Sequence, residues 1–248
     1  MTNNSKEEPQ YFLTAPAPCP YLSGRSERKV FTYITGQFAK EKNSVLTQNG
    51  FRRSQNIAYR PVCDGCRACI SIRIIVDDFV PDRSMKRIIR KNAETDIKVC
   101  PPQATIKQYR LFKHYLEKRH ADGGMNGMTF HDYQMMVDDT FVNTSLVEYR
   151  RALSDGSEQG KILPLIASSL TDVVEDGLSM VYSFFSPEEK HLSLGTFMIL
   201  DHIRRAKFLG LPYVYLGYWI KGSKKMDYKS RFWPQEQLTS SGWKMTTD

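Results

Sequence analysis

Residues 49–73 hold five arginines and three cysteines, and their spacing could support two kinds of chemistry. Cys63, Cys66 and Cys69 follow a regular Cys-x-x-Cys-x-x-Cys pattern, and Cys19 lies upstream of them. Four thiolates of this kind can hold zinc or an iron–sulfur cluster. The alternative is a tight turn of reduced thiols that pack as small apolar side chains. The spacing leaves both interpretations open.

Arg73 is the first candidate for binding an anion. It lies in the segment 70–74, where apolar and polar residues alternate as they do in a half-buried strand. This alternation places Arg73 on the face opposite the isoleucines, where a guanidinium could hold a carboxylate or a phosphate. The alternatives are a solvent-facing residue or an ion pair with Asp77 or Asp78. Arg60 is the second candidate.

A second basic and aromatic cluster, Tyr228, Lys229 and Arg231, lies near the C-terminus. Tyrosine can stack on a base or donate to an oxyanion, and lysine and arginine can bind phosphate. The alternative is a solvated loop. The five histidines form no pair at a useful spacing, so none receives a catalytic role. Asp201 and His202 are predicted to lie on the surface.

A short turn before a predicted helix is the third candidate site. It consists of Ser193, Leu194, Gly195 and Thr196. The N-terminus of a helix offers free N–H groups and a positive dipole end to an anion, and small residues let a substrate approach the backbone. The alternative is that serine and glycine only cap the helix.

The composition describes a globular chain of 248 residues, whose 35 basic and 27 acidic side chains give a net charge of +8. This excess favours an anionic partner, most simply nucleic acid. The sequence has no run of about 18 apolar residues, so no membrane-spanning helix is expected. Residues 1–10 resemble a disordered tail without the pattern of a secretory signal. Five cysteines, three of them closely spaced, fit a reducing cytoplasm.

The predicted elements change in character along the chain. The first part combines a short strand at 28–34, a basic helical turn at 84–91 and an amphipathic helix at 103–120. A helix of about ten residues follows a capping box that begins at Thr129. The second part has strands at 145–153, 162–174 and 178–186, a helix at 195–209 and a strand at 211–219. Such a meander, followed by strand, turn, helix and strand, predicts an acetyltransferase-like α/β (α+β) fold.

Six segments carry a family resemblance: Cys19–Arg25, Glu27–Thr32, Gly50–Arg73, Ser193–Thr196, Leu216–Trp219 and Met226–Phe232. In this order they resemble the bacterial aminoacyl-tRNA–protein transferases, most closely the aspartate/glutamate leucyltransferase branch, which is related to eukaryotic arginyl-tRNA–protein transferase. The resemblance implies two acetyltransferase-like units packed together, here residues 11–125 and 126–248. It also implies a cytoplasmic enzyme that transfers leucine from leucyl-tRNA to proteins beginning with Asp or Glu. The added leucine marks these proteins for N-end rule degradation.

The resemblance gives each candidate residue a role. Tyr228 becomes catalytic, Arg73 and Arg60 bind the acidic side chain of the acceptor, and the remaining candidates bind leucyl-tRNA: Ser193, Leu194, Gly195, Thr196, Lys229 and Arg231. Trp233 stands where the family usually has arginine, and Leu22 stands where eukaryotic relatives have a metal-binding cysteine. Because of Leu22 we expect no metal, and we expect no other cofactor. The alternatives are transfer of arginine, or a non-catalytic metal-bearing protein that binds nucleic acid.

Overall fold

A computed structural model describes residues 9–121, 123–152, 163–223 and 225–246. Residues 1–8 of the predicted tail lie outside the described residues, as do positions 153 and 162 at the ends of two predicted strands. The described residues form fourteen strands, five α-helices and two 3₁₀ turns. Within these residues, none of the helices combines the length and the apolar content that a membrane crossing requires.

The elements before residue 125 are β1 Phe12–Leu13, β2 Ala17–Pro18, β3 Ser26–Glu27, β4 Lys29–Tyr33, α1 Ala39–Gln48, β5 Arg52–Ser54, β6 Ile57–Pro61, β7 Ile70–Ile75, α2 Arg83–Lys91, β8 Asp96–Cys100 and α3 Ile106–Arg119. The elements after it are α4 Phe130–Asp138, β9 Thr144–Arg150, β10 Leu165–Val174, β11 Gly177–Phe185, a 3₁₀ turn Lys190–Leu192, α5 Leu194–Phe208, β12 Tyr213–Trp219, a 3₁₀ turn Asp227–Arg231, β13 Gln235–Thr239 and β14 Gly242–Met245.

The strands form one large sheet and two smaller ones. The large sheet has eight strands in the order β14-β13-β7-β12-β11-β10-β9-β8, and a four-stranded sheet has the order β1-β4-β6-β5. β11 and β12 are parallel, and α5 provides the crossover that a parallel pair needs. The mixed α/β fold class is confirmed. β7 lies between β13 and β12, so both parts of the chain contribute to the large sheet, and the division at residue 125 stays a prediction.

Both faces of the large sheet are covered, because successive residues of its strands enter different cores. Val147 of β9 packs in a core that includes α5, whereas the preceding Leu146 packs in a core that includes α3 and α4. A third core lies between the four-stranded sheet and α1, around Leu46 and Ala58. Central strands buried on both faces tend to have continuous apolar runs, as β12 does, whereas β10 also buries polar residues, namely Ser168, Ser169, Thr171 and Asp172.

The sequence predicted the strongly patterned elements and missed the weakly patterned ones. The predicted helix at 195–209 is α5, and its four predicted core residues, Ile199, Leu200, Ile203 and Ala206, are all buried. The capping box at Thr129 is also present. Helix α1 was missed because its buried positions include Asn43, Ser44 and Thr47, so it lacks an apolar stripe.

The predicted surface position of Asp201 and His202 is wrong. Both residues are buried on α5. Asp201 accepts hydrogen bonds from the Tyr149 hydroxyl at 3.0 Å and from Arg205 at 2.7 Å, and His202 lies 2.8 Å from the Thr171 hydroxyl. Burial by itself would raise the pKa of Asp201, but hydrogen bonds from neighbouring arginines hold that pKa below its usual value. These partners let two polar residues occupy a core position.

Candidate active site

Two neighbouring strands of the large sheet, β11 and β12, separate and leave a gap between them. They pair only between residues 177–179 and 213–215. Just beyond this point each strand has a bulge, with Val181 left out of the register with β10 and Leu216 left out of the register with β7. A bulge bends its strand and locally disrupts pairing. Two bulges at the same level therefore open the sheet.

A side chain from the four-stranded sheet fills the base of this gap. Arg52 of β5 donates one hydrogen bond to the Val181 carbonyl at 2.8 Å and another to the Leu216 carbonyl at 3.2 Å. Gly217 makes room for it, because a Cβ at that position would overlap the guanidinium. Gly217 also has a φ of +74°, which favours glycine. Arg52 thus ties the two bulges together at a fixed separation.

The N-terminus of α5 forms one wall of the gap. Ser193, which precedes the helix, has φ +53° and ψ +46°, a left-handed conformation that is uncommon outside glycine. Its side chain makes no capping hydrogen bond, and its carbonyl accepts from the N–H groups of Thr196 and Phe197. Among the described residues, the N–H groups of Leu194 and Gly195 have no protein acceptor. These two N–H groups and the positive end of the helix dipole are available to a substrate oxygen.

The predicted turn residues contribute mainly through their backbone. Ser193 is exposed, whereas the Leu194 side chain is only 1% exposed and belongs to the apolar core. Gly195 lies so close to the Phe185 ring that a Cβ there would be 3.3 Å from it. Thr196 is half-buried. All four residues line the same cavity, and their role in binding a substrate stays a prediction.

Lys229 is buried at the same place, with an exposed fraction of 8%. Its amine donates to the carbonyls of Leu216 at 2.9 Å and Tyr218 at 2.6 Å. Burial, together with the positive charge of Arg52, lowers the pKa of Lys229 to about 7. A neutral amine has two N–H donors and one lone pair, so both carbonyls can be satisfied while the lone pair remains free to take a proton.

Tyr228 lies beside Lys229 on the 3₁₀ turn 227–231. Its side chain is partly exposed, yet burial raises the pKa of its hydroxyl, which therefore stays protonated at neutral pH. It lines the same cavity as Lys229 and Arg52. A protonated phenol can donate a hydrogen bond but cannot serve as a base.

The gap widens into a cleft of about 950 Å³. Its apolar wall comes from Met180, Phe185, Ile199 and Leu216. Its cationic mouth is lined by Lys118, Arg119, Lys190 and Lys225, all exposed. Such a combination suits a substrate with an apolar end and an anionic body.

The sequence reasoning missed two polar residues of the cleft, Tyr115 and His120. The Tyr115 hydroxyl lies 3.2 Å from the His120 ring nitrogen. Burial raises the pKa of Tyr115 to about 12, and burial with nearby Lys225 and Arg119 lowers the pKa of His120. Tyr115 lies on one face of α3, and His120 follows the C-terminal residue of that helix. Their spacing of five residues could therefore predict a contact between the two side chains only if the end of the helix was known.

Arg73 lies on the predicted strand, β7, and on the predicted face, since Ile72 and Ile74 are in the core. However, its guanidinium is occupied by protein groups. It donates to Glu236 at 2.7 Å and to the Tyr215 hydroxyl at 3.0 Å, and it lies 3.5 Å from Asp176. The rings of Tyr213 and Trp243 stack on it, with centroids 3.5 and 4.3 Å from the guanidinium carbon. Arg73 does not line the cleft, and its role in binding an acceptor stays a prediction.

The other predicted arginines lie apart from the cleft lining. Arg60 is exposed and donates to the Asn49 carbonyl at 3.2 Å. Arg231 is exposed and donates to Ser84 at 2.9 Å. Their binding roles stay predictions. Trp233, beside Arg231, is half-buried.

The four predicted thiols are free and half-buried. Burial, followed by the effects of Cys19, Cys63 and Cys66, raises the pKa of Cys69 to about 11. Cys69 is therefore a thiol at neutral pH. Among the described residues, no group of three or more His, Cys, Asp or Glu side chains is arranged to hold a metal ion. The residues thus do not fit a metal centre in this geometry, and the expected absence of metal stays a prediction.

Two family models and several curated relatives match nearly the whole chain. The family model "Arginine-tRNA-protein transferase, N terminus" matches residues 17–87, and "Arginine-tRNA-protein transferase, C terminus" matches residues 107–239. The aspartate/glutamate leucyltransferase of Rhodopseudomonas palustris (strain TIE-1) is 57% identical over 98% of this chain and 94% of that protein. The aspartate/glutamate leucyltransferase of Azorhizobium caulinodans is 58% identical over 98% of both chains. Among solved structures, FemX matches 75% of this chain and 61% of its own, with a TM-score of 0.49 and 8% identity.

Proposed function

The chain belongs to the arginine-tRNA-protein transferase family, and on that premise we propose that it transfers leucine from leucyl-tRNA to the N-terminal α-amine of proteins beginning with Asp or Glu. The donor and the acceptors follow the names of relatives that are 57% and 58% identical. In this role the added leucine marks the acceptor for N-end rule degradation, and the enzyme acts in the cytoplasm, where charged tRNA is present. These relatives are enzymes, which argues against the non-catalytic alternative.

The observation that carries this proposal is the cleft between β11 and β12. The reaction is aminolysis of an ester: the acceptor nitrogen attacks the leucyl carbonyl carbon, a C–N bond forms and the bond to the ribose oxygen breaks. The amine loses a proton, and the leaving oxygen gains one. The site must therefore hold two substrates, stabilise a developing oxyanion and accept a proton.

We assign the proton acceptor to Lys229. Its pKa of about 7 leaves the amine partly neutral at physiological pH. Its two N–H donors already bond to the carbonyls of Leu216 and Tyr218. The lone pair can then take the proton that the acceptor amine releases. This replaces the phosphate contact that the sequence predicted for Lys229, because a buried amine held by two carbonyls is poorly placed to meet phosphate.

Stabilisation of the oxyanion is assigned to the N–H groups of Leu194 and Gly195 at the start of α5. Backbone donors at a helix N-terminus are fixed in place, so they cost no reorganisation when charge develops. Tyr228 keeps the role of a hydrogen-bond donor to the reacting group or to the terminal ribose. Its raised pKa supports donation rather than proton removal.

The lining of the cleft supports leucine over arginine as the transferred residue. Met180, Ile199 and Leu216 present an apolar wall that matches a branched aliphatic side chain. A guanidinium on that wall would lose hydration, and Glu189, a carboxylate that also lines the cleft, already pairs with His191. Arg119, an exposed cation at the mouth beside Phe185, is in a position to bind the acidic side chain of the acceptor.

The decisive experiment supplies the protein with radiolabelled leucyl-tRNA or arginyl-tRNA and with matched peptides. The peptides begin with Asp, Glu, Asn or Gln and are otherwise identical. We expect leucine to be incorporated into the Asp and Glu peptides and arginyl-tRNA to serve poorly. Efficient arginine transfer without leucine transfer would support the arginyl alternative, and no transfer from either tRNA would overturn the enzymatic assignment.

A further inference from the structure

One face of the four-stranded sheet carries a line of aromatic side chains that ends at the cleft. In the strand register Phe12 of β1 lies opposite Phe31 of β4, Phe31 lies opposite Tyr59 of β6, and Tyr59 lies opposite Arg52 of β5. Directly opposed residues of antiparallel strands share one face. We call these four residues, the three aromatic residues Phe12, Phe31 and Tyr59 and the terminal Arg52, the aromatic row.

The outer end of the aromatic row is open to solvent. Phe12 is 40% exposed, and its ring stacks on Phe31 with centroids 5.4 Å apart. Tyr33, two residues along β4 and on the same face, is 49% exposed and meets both rings edge-on. Three clustered aromatic rings on an exposed sheet face are unusual for a surface that binds nothing.

The inner end of the aromatic row is part of the active-site cleft. Arg52 holds the two bulges together and lines the cleft. Tyr59 lies 6.5 Å from the ring of Tyr218, a β12 residue whose carbonyl accepts from Lys229. Adjacent strands are about 4.8 Å apart, so the row leads to the cleft over about 14 Å. A ligand on this face would therefore have its inner end close to the site.

We propose that the aromatic row, with Tyr33, is the platform on which the unpaired 3′ segment of the aminoacyl-tRNA stacks. Bases stack on aromatic rings regardless of sequence, which suits a tRNA end that is single-stranded. The ester that reacts is at the end of this segment, so a track that ends at Arg52 delivers it to Lys229. This inference rests on the function proposed above and specifies where its donor lies.

Charge on this face and at its inner end suits an anionic ligand, and the exposed rings favour one that carries bases. The Lys29 ammonium lies 5.4 Å from the Tyr59 ring, although Glu27 offsets it at 2.7 Å. Arg52 adds positive charge at the inner end, although its guanidinium already donates to the carbonyls of Val181 and Leu216, and exposed cations line the mouth of the cleft. The face therefore offers rings to bases, and the exposed cations at the mouth of the cleft are available to phosphates.

The test measures the dissociation constants of two RNAs for each variant by fluorescence anisotropy. One is a deacylated leucine tRNA, and the other is the same tRNA without its unpaired 3′ segment. Phe12→Ala and Tyr33→Ala remove exposed rings, and Tyr33→Phe retains the ring. Phe208→Ala is the matched control, because Phe208 is 88% exposed at the far end of α5. Thermal unfolding checks the fold of each variant.

We expect Phe12→Ala and Tyr33→Ala each to weaken binding of the intact tRNA by about fivefold or more, the effect of losing one stacked base. Tyr33→Phe and Phe208→Ala should bind as the wild type does, and none of the variants should affect the truncated tRNA. Equal weakening of both RNAs would overturn the proposal. So would unchanged tRNA binding with a raised KM for the acceptor peptide, which would assign this face to the protein substrate. Leucyl transfer by the wild type tests the function separately.

Discussion

At the scale of single residues, arginines and lysines that look alike in the sequence have different environments. Arg53 is buried in a bidentate ion pair with Asp172 at 2.6 and 2.8 Å, which ties β5 to β10. Its neighbour Arg52 lines the cleft, and Lys229 is a buried amine with a lowered pKa. The partners of a cationic side chain, more than its charge, thus decide which residues can take part in chemistry.

Lys229 should determine how the rate of the reaction falls at low pH. Below about pH 7 its amine is protonated and cannot take a proton, so kcat should fall as pH decreases through that value. Lys229→Arg keeps a cation near the two carbonyls but does not titrate. We expect kcat of this variant to be lower by about 10²-fold or more, and we expect kcat no longer to change with pH near pH 7. Rates are measured at saturating acceptor peptide, because the pH dependence of kcat then does not include ionisation of the free α-amine.

The same lowered pKa predicts a dependence of stability on pH. Between about pH 7 and pH 10.5 the unfolded chain holds a proton on Lys229 that the folded chain has lost. The free energy of unfolding should therefore rise with pH across this window, and the rise should be absent in Lys229→Met. An unchanged pH profile of kcat in Lys229→Arg would contradict the catalytic assignment even if this stability effect were observed.

Arg73→Ala should reduce stability rather than specificity. Removing the guanidinium leaves Glu236 and Asp176 without their cation inside a packed aromatic cluster. We expect a loss on the order of 2–4 kcal/mol in the free energy of unfolding, because breaking a largely buried ion pair strands its partners. Urea denaturation measures the loss, and Arg87→Ala, an exposed arginine on α2, is the control. A stable Arg73→Ala protein that no longer distinguishes Asp from Asn peptides would restore the role that the sequence predicted.

The case of Arg73 illustrates what a sequence can and cannot predict at this scale. Alternation with Ile72 and Ile74 correctly predicted its strand and its face. Its partners could not be predicted, because Glu236 is 163 positions away and reaches Arg73 only through the pairing of β13 with β7. The predicted partners Asp77 and Asp78 were chosen for their proximity in sequence. Long-range strand order, which local patterns do not encode, decided the outcome.

At the scale of elements, the active-site cleft is a consequence of two bulges in one sheet. The strand–helix–strand unit of β11, α5 and β12 was predictable from periodicity and turn residues. The bulges at Val181 and Leu216 were not, because both residues are apolar and follow apolar neighbours in their strands. Near these bulges only Gly217, next to Leu216, indicated an irregular backbone, because glycine inside a strand is typical of a bulge.

Gly217→Ala should destabilise the protein and impair the cleft. The new Cβ would overlap the Arg52 guanidinium, and the backbone would keep a φ of +74°. Gly210→Ala is a matched control, since Gly210 has a φ of +68° with nothing near its Cβ position. The control should lose about 1 kcal/mol of unfolding free energy, which is the conformational cost alone. Gly217→Ala should lose clearly more and should also lower kcat in molecules that remain folded. Equal losses in the two variants would mean that Arg52 moves aside freely.

At the scale of the whole molecule, a net charge of +8 becomes informative once its location is known. Lys118, Arg119, Lys190 and Lys225 gather at the mouth of the cleft, although they are spread over more than 100 positions of the sequence. The composition alone predicted an anionic partner. The folded chain adds that part of the excess lies where the body of a tRNA would approach.

Salt dependence of tRNA binding should identify the cations that meet phosphate. Lys118→Ala should reduce the log–log slope of affinity against salt by about one unit, as expected for one lost phosphate contact. Lys107→Ala is the control, because Lys107 lies at the opposite end of α3, about 17 Å away. Arg231→Ala should match Lys118→Ala if the exposed Arg231 side chain binds phosphate, as the sequence predicted. Identical slopes for Lys118→Ala and Lys107→Ala would remove the mouth of the cleft from the tRNA interface.

The separation of β11 from β12 has a consequence for isotope exchange. Beyond their short paired segment, each strand keeps a partner on one side only, β10 for β11 and β7 for β12. Backbone amides that point into the cleft therefore lack a ladder partner and should exchange rapidly with deuterated solvent, whereas the amides of the same strands that point away should be protected. A bound substrate would slow only the first set. Mass spectrometry of peptides spanning residues 180–185 and 216–219 would thus report occupancy of the cleft without labelling the substrate and without turnover.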